Sequence, residues 1–318
     1  MKKVLKGTIF FIGLLILLSI LSSIFIPKNN TKEDGMIDEA ASGILSEKDN
    51  TIDVIFVGNS VIYTSIIPMK IWEDYGIPSY VLYSPGQPLE ESIYFTYMAT
   101  QKQKPKVIVF EASNIFLRNG IEYSIRNVLS AVYPIFRYHD RWKKLSLKDI
   151  TSGTNYKRID DNKGYGFSLN IRPIENNNYM EETTEEEIIP RLNMFYIKLL
   201  NYYCNSNDIK FILTAAPSID NWNYKKHNAL ERLSNDENIP FVDMNLVEEI
   251  NIDWSHDTRD EGDHLNYYGA KKTTEYFGKY LNDLNILKDH REDKKYKEWN
   301  ESLERFNKKV EEETKNTN

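Results

Sequence analysis

Asp53-Val54-Ile55-Phe56-Val57-Gly58-Asn59-Ser60 decides the fold. The apolar run is short and has no polar alternation, so it predicts a strand buried on both faces of a parallel sheet. Gly58 permits a sharp turn after it, and Ser60 then falls at the C-terminal end of the strand, where open α/β sheets hold their ligands. Four later runs read the same way: residues 79–83, 106–110, 210–214 and 240–244. Helical stretches separate them, which predicts an α/β protein with a three-layer α/β/α doubly wound parallel sheet.

Some 200 residues after Ser60 the chain reads Asp260-Glu261-Gly262-Asp263-His264-Leu265-Asn266, with a helix expected from Tyr267. A serine early in the sheet and an acid with a histidine in the last loop form a serine-triad layout, which is recognised by roles and not by chain order. A serine hydroxyl needs a base to take its proton, and His264 is the candidate.

The rest of the chain narrows the function classes. A net charge of −7 over 318 residues disfavours nucleic acid as a partner. Cys204 is the only cysteine, which excludes an intrachain disulfide and argues against Cys-based metal chemistry. His256-Asp257 lacks a third ligand at a recognisable spacing, so no metal or cofactor is expected. His139, His227 and His290 have no partner pattern.

The N-terminus is unusual. Residues 1–6 carry three lysines, and 7–26 run without a charge, long enough to cross a bilayer as a helix. Ser22-Ser23-Ile24-Phe25 makes a poor cleavage site, so an uncleaved signal anchor is expected, with the lysines cytoplasmic and everything beyond Pro27 outside. Residues 27–50 read as a linker that lifts the domain off the membrane. The α/β domain is expected over 51–288, with an aromatic-rich insertion at 118–180 lying over the site as a lid. Thr184 and Glu187 fit a capping box, predicting a helix over 184–203. The charged tail 289–318 carries Tyr296, Trp299, Leu303, Phe306 and Val310 at helical spacing, a stripe suited to docking on the domain or on a partner.

Over residues 53–281 the sequence resembles the SGNH (GDSL-type) hydrolase superfamily, and within it the membrane-anchored, DltD-like and polysaccharide-acylating branch. Gly58-Asn59-Ser60 matches the first block, with Asn59 replacing the family's aspartate. His264-Leu265-Asn266, followed by Gly269-Ala270-Lys271-Lys272, matches the last. The resemblance implies a flavodoxin-like sheet and an oxyanion hole built by the backbone N–H of Ser60, the N–H of Gly86 and the side-chain amide of Asn114. Of the family's Gly-x-Asn-Asp block only Asn114 survives.

The acid departs from the family's Asp-x-x-His spacing, since Glu261 stands three before His264. Asp260, four before, is preferred, because Gly262 lets the loop turn back. Asp263 is the alternative, an adjacent side chain ordinarily pointing away, and Glu261 is a poor third.

The resemblance implies a cell-surface serine enzyme that transfers O-acyl groups on an envelope polysaccharide, with a multispanning membrane acyltransferase as a partner. Ester hydrolysis, on the polymer or on a small acyl ester, is the alternative. A non-catalytic subunit of the same fold is the competing class.

Overall fold

The computed structural model describes residues 2–37, 39–84, 86–175 and 178–317; Pro85, beside the expected oxyanion glycine, lies outside them. The chain begins with α1 (Lys2–Phe25) and α2 (Glu39–Ser42), then β1 (Val54–Gly58), α3 (Ser60–Ser65), α4 (Pro68–Tyr75), β2 (Ser79–Tyr83), α5 (Leu89–Thr100) and β3 (Val107–Glu111). A long connection holds α6 (Ile121–Val132), α7 (Pro134–Arg137), α8 (Leu147–Thr151) and α9 (Arg191–Ser206). β4 (Lys210–Ala215), α10 (Tyr224–Glu237), β5 (Phe241–Asp243), α11 (Tyr267–Asp283) and α12 (Lys297–Thr317) follow.

All five strands pair in parallel, in the order β2-β1-β3-β4-β5. Val54 is in register with Ser79 on one side and Val107 on the other. Connections from β1 and β3 therefore leave in opposite directions, and the crevice at that reversal lies between the ends carrying Ser60 and Asn114.

Alternate side chains of β1 enter different cores. Ile55 and Val57 pack with Ile197 and Leu200 of α9 and Leu230 of α10, whereas Val54 and Phe56 pack with Phe277 and Leu281 of α11. Phe277 meets Phe56 edge-on at 5.5 Å, and burying a ring of that size contributes roughly 2–3 kcal/mol. This two-sided burial is why the strands read as unbroken apolar runs.

α1 is 24 residues long and exposed along nearly its whole length. By length and composition it can cross a membrane. Its end is seated on the domain: the Ile135 N–H donates to Ser22 Oγ at 3.3 Å, and the Arg141 guanidinium donates to the Phe25 carbonyl while pairing with Asp149 at 2.7 Å.

The linker expected over 27–50 as a free tether instead packs on the domain through its described residues. Asn30 is fully buried, donating to Ser46 Oγ and the Arg158 carbonyl and accepting from the N–H groups of Lys157 and Arg158. Ala41 and Ile44 join the core, and the Tyr80 hydroxyl donates to the Ala40 carbonyl. Polar composition hid this because the contacts are hydrogen-bonded and not periodic.

The helix expected over 184–203 begins only at Arg191. Pro190 lacks an N–H and disfavours helical backbone at the residue before it. The chain ahead of it runs beside α10 instead, with the Glu187 N–H donating to the Lys225 carbonyl. The tail stripe docks on the domain: Tyr296, Trp299 and Phe306 are buried, and Trp299 lies 5.4 Å from Trp72.

Candidate active site

Ser60 opens α3, directly after the helix-capping Asn59, whose Oδ1 accepts the Val61 N–H at 2.9 Å. The other end of the Asn59 amide donates to Ser113 Oγ at 3.1 Å, and that hydroxyl donates to Glu111 Oε2 at 2.8 Å. Glu111 is fully buried, and burial pushes its carboxyl up to about 7 against the hydrogen bonds from Ser113. Next in the chain, Asn114 donates through Nδ2 to the Gln87 carbonyl, while its Oδ1 is buried without a partner among the described residues. The turns after β1, β2 and β3 are thus tied into one floor, and the amides of Asn59 and Asn114 make the ties.

Gly86, one residue before Gln87, has φ +63 and open space where a side chain would stand. This left-handed backbone suits glycine, and the open side leaves room for a ligand to approach. Ser60, Gly86 and Asn114, the three expected oxyanion donors, therefore lie on the linked strand-end turns.

His264 sits on a loop that closes on itself. Thr258 bridges Leu265, and the Arg259 N–H donates to the His264 carbonyl at 3.1 Å. The reversal falls at Glu261 (φ +66) and Gly262 (φ +99). This turn brings Asp260 back onto the histidine: Oδ1 accepts the His264 backbone N–H at 2.7 Å, and Oδ2 lies 2.7 Å from Nδ1. Asp263 does not point away as an adjacent residue was expected to. Its Oδ2 comes within 3.1 Å of the same Nδ1, because Asn221 Nδ2 holds its other oxygen and Ser218 Oγ holds its carbonyl. Glu261 gives its backbone N–H to the Arg172 carbonyl and, among the described residues, makes no bond to the imidazole.

The His264 side chain is 12% exposed, and its Nε2 is buried with no partner among the described residues. The ring stands 6.5 Å from that of Tyr63. Tyr63 follows Ser60 by one helical turn, so it shares the face of α3 on which Ser60 begins. α11 fixes this approach: Thr273 Oγ1 donates to the Ser65 carbonyl at the end of α3, and Thr274 Oγ1 accepts from the Ile67 N–H.

Several neighbours escaped sequence reasoning. Tyr63 stacks on Tyr83 at 3.9 Å, and Arg259 lies over Tyr63, donates to its hydroxyl at 2.7 Å, and stands 3.7 Å from Asp260. The spacing of Tyr63 from Ser60 and the adjacency of Arg259 to Asp260 were the available signals. Residues 166–174 of the insertion border the same loop, since Gly166 bonds the Tyr63 carbonyl and Arg172 exchanges backbone bonds with Thr258 and Glu261.

Asp260, Asp263 and His264 each offer one metal-ligand atom within 4.8 Å of the others. A separation of 2.7 Å between Nδ1 and Asp260 Oδ2 is that of a direct hydrogen bond. Two ligands of one tetrahedral ion would stand roughly 3 Å or more apart. The trio is arranged as an acid-histidine clamp.

No family profile matches the chain, and no curated protein matches it. Among solved structures it is similar to a candidate acylhydrolase from Bacteroides fragilis, with 13% identity over 79% of this chain and 97% of that one and a TM-score of 0.40. It is similar also to an acetyl xylan esterase, with 16% identity over 74% and 100% of the two chains and a TM-score of 0.37. A GDSL-like lipase from Bacteroides thetaiotaomicron gives 12% identity over 73% and 88%, again with a TM-score of 0.37. With identities and scores this low, the chemistry of the site rests on its own geometry.

Proposed function

We propose that this chain is an SGNH-type serine enzyme that forms an acyl-serine at Ser60, held at a membrane surface by α1. The observation that carries the reading is His264, clamped at Nδ1 by Asp260, with Nε2 buried and unpartnered among the described residues and the ring 6.5 Å from that of Tyr63, one helical turn after Ser60. In this mechanism Nε2 takes the Ser60 proton as Oγ attacks an ester carbonyl, and Asp260 stabilises the resulting imidazolium. The tetrahedral oxygen is received by the N–H groups of Ser60 and Gly86 and by the remaining N–H of the Asn114 amide. His264 then returns the proton to the leaving alcohol.

A second alcohol deprotonated by His264 completes an O-acyl transfer, and water in the same place completes a hydrolysis. The resemblance to the DltD-like branch favours transfer onto an envelope polysaccharide, with a multispanning acyltransferase as donor partner. An anchored, outward-facing domain suits a cell-envelope substrate.

Fluorophosphonate labelling of the full chain in detergent tests the serine. Wild type should be labelled at Ser60, and folded Ser60→Ala should not react at all. Asp260→Asn should slow labelling by orders of magnitude through loss of the oriented tautomer, with Asp263→Asn much milder. Equal labelling of folded Ser60→Ala would end the serine mechanism, and the reverse order of the two aspartates would move the acid to Asp263.

A further inference from the structure

α6 is amphipathic in the wrong sense for a soluble domain. Ile121, Ile125, Val128, Leu129 and Val132 share one helical face, and every one of them is exposed, between 41% and 74%. The helix packs on the domain instead through the face that carries buried Ser124. The same segment goes on to expose Trp142, Leu147 and Ile150 at 63%, 80% and 64%. Isolated exposed apolar residues are ordinary, but a run of this extent marks a contact surface.

Position and charge identify the occupant. The segment is joined to the end of α1 by the bonds of Ile135 to Ser22 and of Arg141 to Phe25, so it sits where that helix would leave a bilayer. Residues 121–151 carry six Lys and Arg against three Asp and Glu, in a chain whose net charge is −7. A basic, apolar surface with an exposed tryptophan has the composition of an element lying in the headgroup region of an anionic membrane.

We infer that residues 121–151 form an interfacial collar, bedding the apolar face of α6 together with Trp142, Leu147 and Ile150 into the bilayer that α1 crosses. This rests on the reading of α1 as a membrane anchor. The collar also reaches the site. Arg137 pairs with Glu91, Glu91 accepts from Ser84 Oγ at 2.6 Å, and Ser84 leads into the Gly86 turn. Docking of the collar is thereby linked, through two side-chain contacts, to the turn that carries Gly86.

The test uses the full chain in vesicles of phosphatidylcholine and phosphatidylglycerol. Cys204 is buried, and burial pushes its thiol up to about 12, so it resists labelling. Single cysteines made as Ile125→Cys, Val132→Cys and Leu147→Cys carry an environment-sensitive fluorophore. Leu14→Cys in α1 reports the anchor, and the control is Ile286→Cys, exposed four residues before His290, which pairs with Asp53 just ahead of β1.

The three collar labels should shift to the blue and be quenched most by a nitroxide placed high on the lipid acyl chain. The label at 14 should be quenched most by one near the chain end, and the label at 286 by neither. A quenched label at 14 with unquenched collar labels would overturn the collar and leave the anchor standing. Blue-shifted collar labels that no lipid nitroxide quenches would assign the face to a second copy of the chain and also overturn it. An unquenched label at 14 would overturn both readings.

Discussion

Asn59 stands where the resemblance drawn from the sequence expects an aspartate, and its surroundings account for the amide. The Ser113 hydroxyl has one proton and gives it to Glu111. Its oxygen can then accept from an amide at position 59, whereas a carboxylate there would face a lone pair with a second carboxylate close behind. The choice of Asn59 thus follows from a glutamate 52 residues away, and the departure was legible in the sequence while its cause was not. The position of Ser60 just past β1 and the pairing of Asp260 with His264 were legible because short local patterns, a strand-end turn and an acid-histidine loop, set them. Glu111 also carries a pH prediction. Burial lifts its native carboxyl from an ordinary 4.5 to about 7, so the native state holds the proton more tightly than the unfolded chain does. The stability this group contributes is fully present below the unfolded value and is lost as pH rises through 7, a decline of about 3 kcal/mol. Urea unfolding of the detergent-solubilised chain should show this slope in wild type and lose most of it in Glu111→Gln, which keeps the shape and cannot ionise. An unchanged slope would mean that Glu111 is not its source.

Among the elements, the five strands appeared in the sequence within about a residue of their observed limits because nearly every residue in them is buried, which leaves short runs dominated by apolar side chains. What guards the sheet's edge did not appear. β2 lies at one end of the strand order, and the insertion runs along its open side, with the Val81 N–H donating to the Lys163 carbonyl at 2.9 Å. Covering an edge in this way removes a template for pairing with other chains. Gly164 makes the contact feasible: its φ is +87, and an added Cβ would stand 2.0 Å from the Val81 carbonyl oxygen. Gly164→Ala should therefore lower stability by about 2 kcal/mol or more. It should also speed hydrogen exchange at the Val81 amide specifically. Exchange there as slow as in wild type would show that the strap accommodates a side chain. The insertion's sequence gave its aromatic content freely, but not its division into a stretch along β2 and the His264 loop and another at the end of α1.

In the whole molecule, segments that read as appendages meet in one buried knot. Lys163 of the insertion is fully buried, pairs with Glu47 of the 28–50 segment at 2.7 Å, and lies 4.9 Å above the ring of Trp299 at the start of α12. Burial raises the Glu47 carboxyl, and the lysine opposes that rise. Removing one charge leaves the other unpaired in the interior, so Lys163→Met alone should cost roughly 3–5 kcal/mol, while adding Glu47→Leu should recover most of it. A thermal melt of the single and double variants measures both, and additive losses would contradict the coupling. Periodicity could not reveal this knot, since each of its three residues is ordinary in its own stretch of chain. The seating of the 28–50 segment changes how the enzyme proposed here would work. A catalytic head on a slack stalk sweeps a hemisphere and reaches polymer at many distances from the lipid. A head clamped to its own anchor keeps one height and one tilt, turning only about the membrane normal and drifting in the plane. Its working range is then a thin layer, and only the portion of a polymer that passes through that layer would be modified.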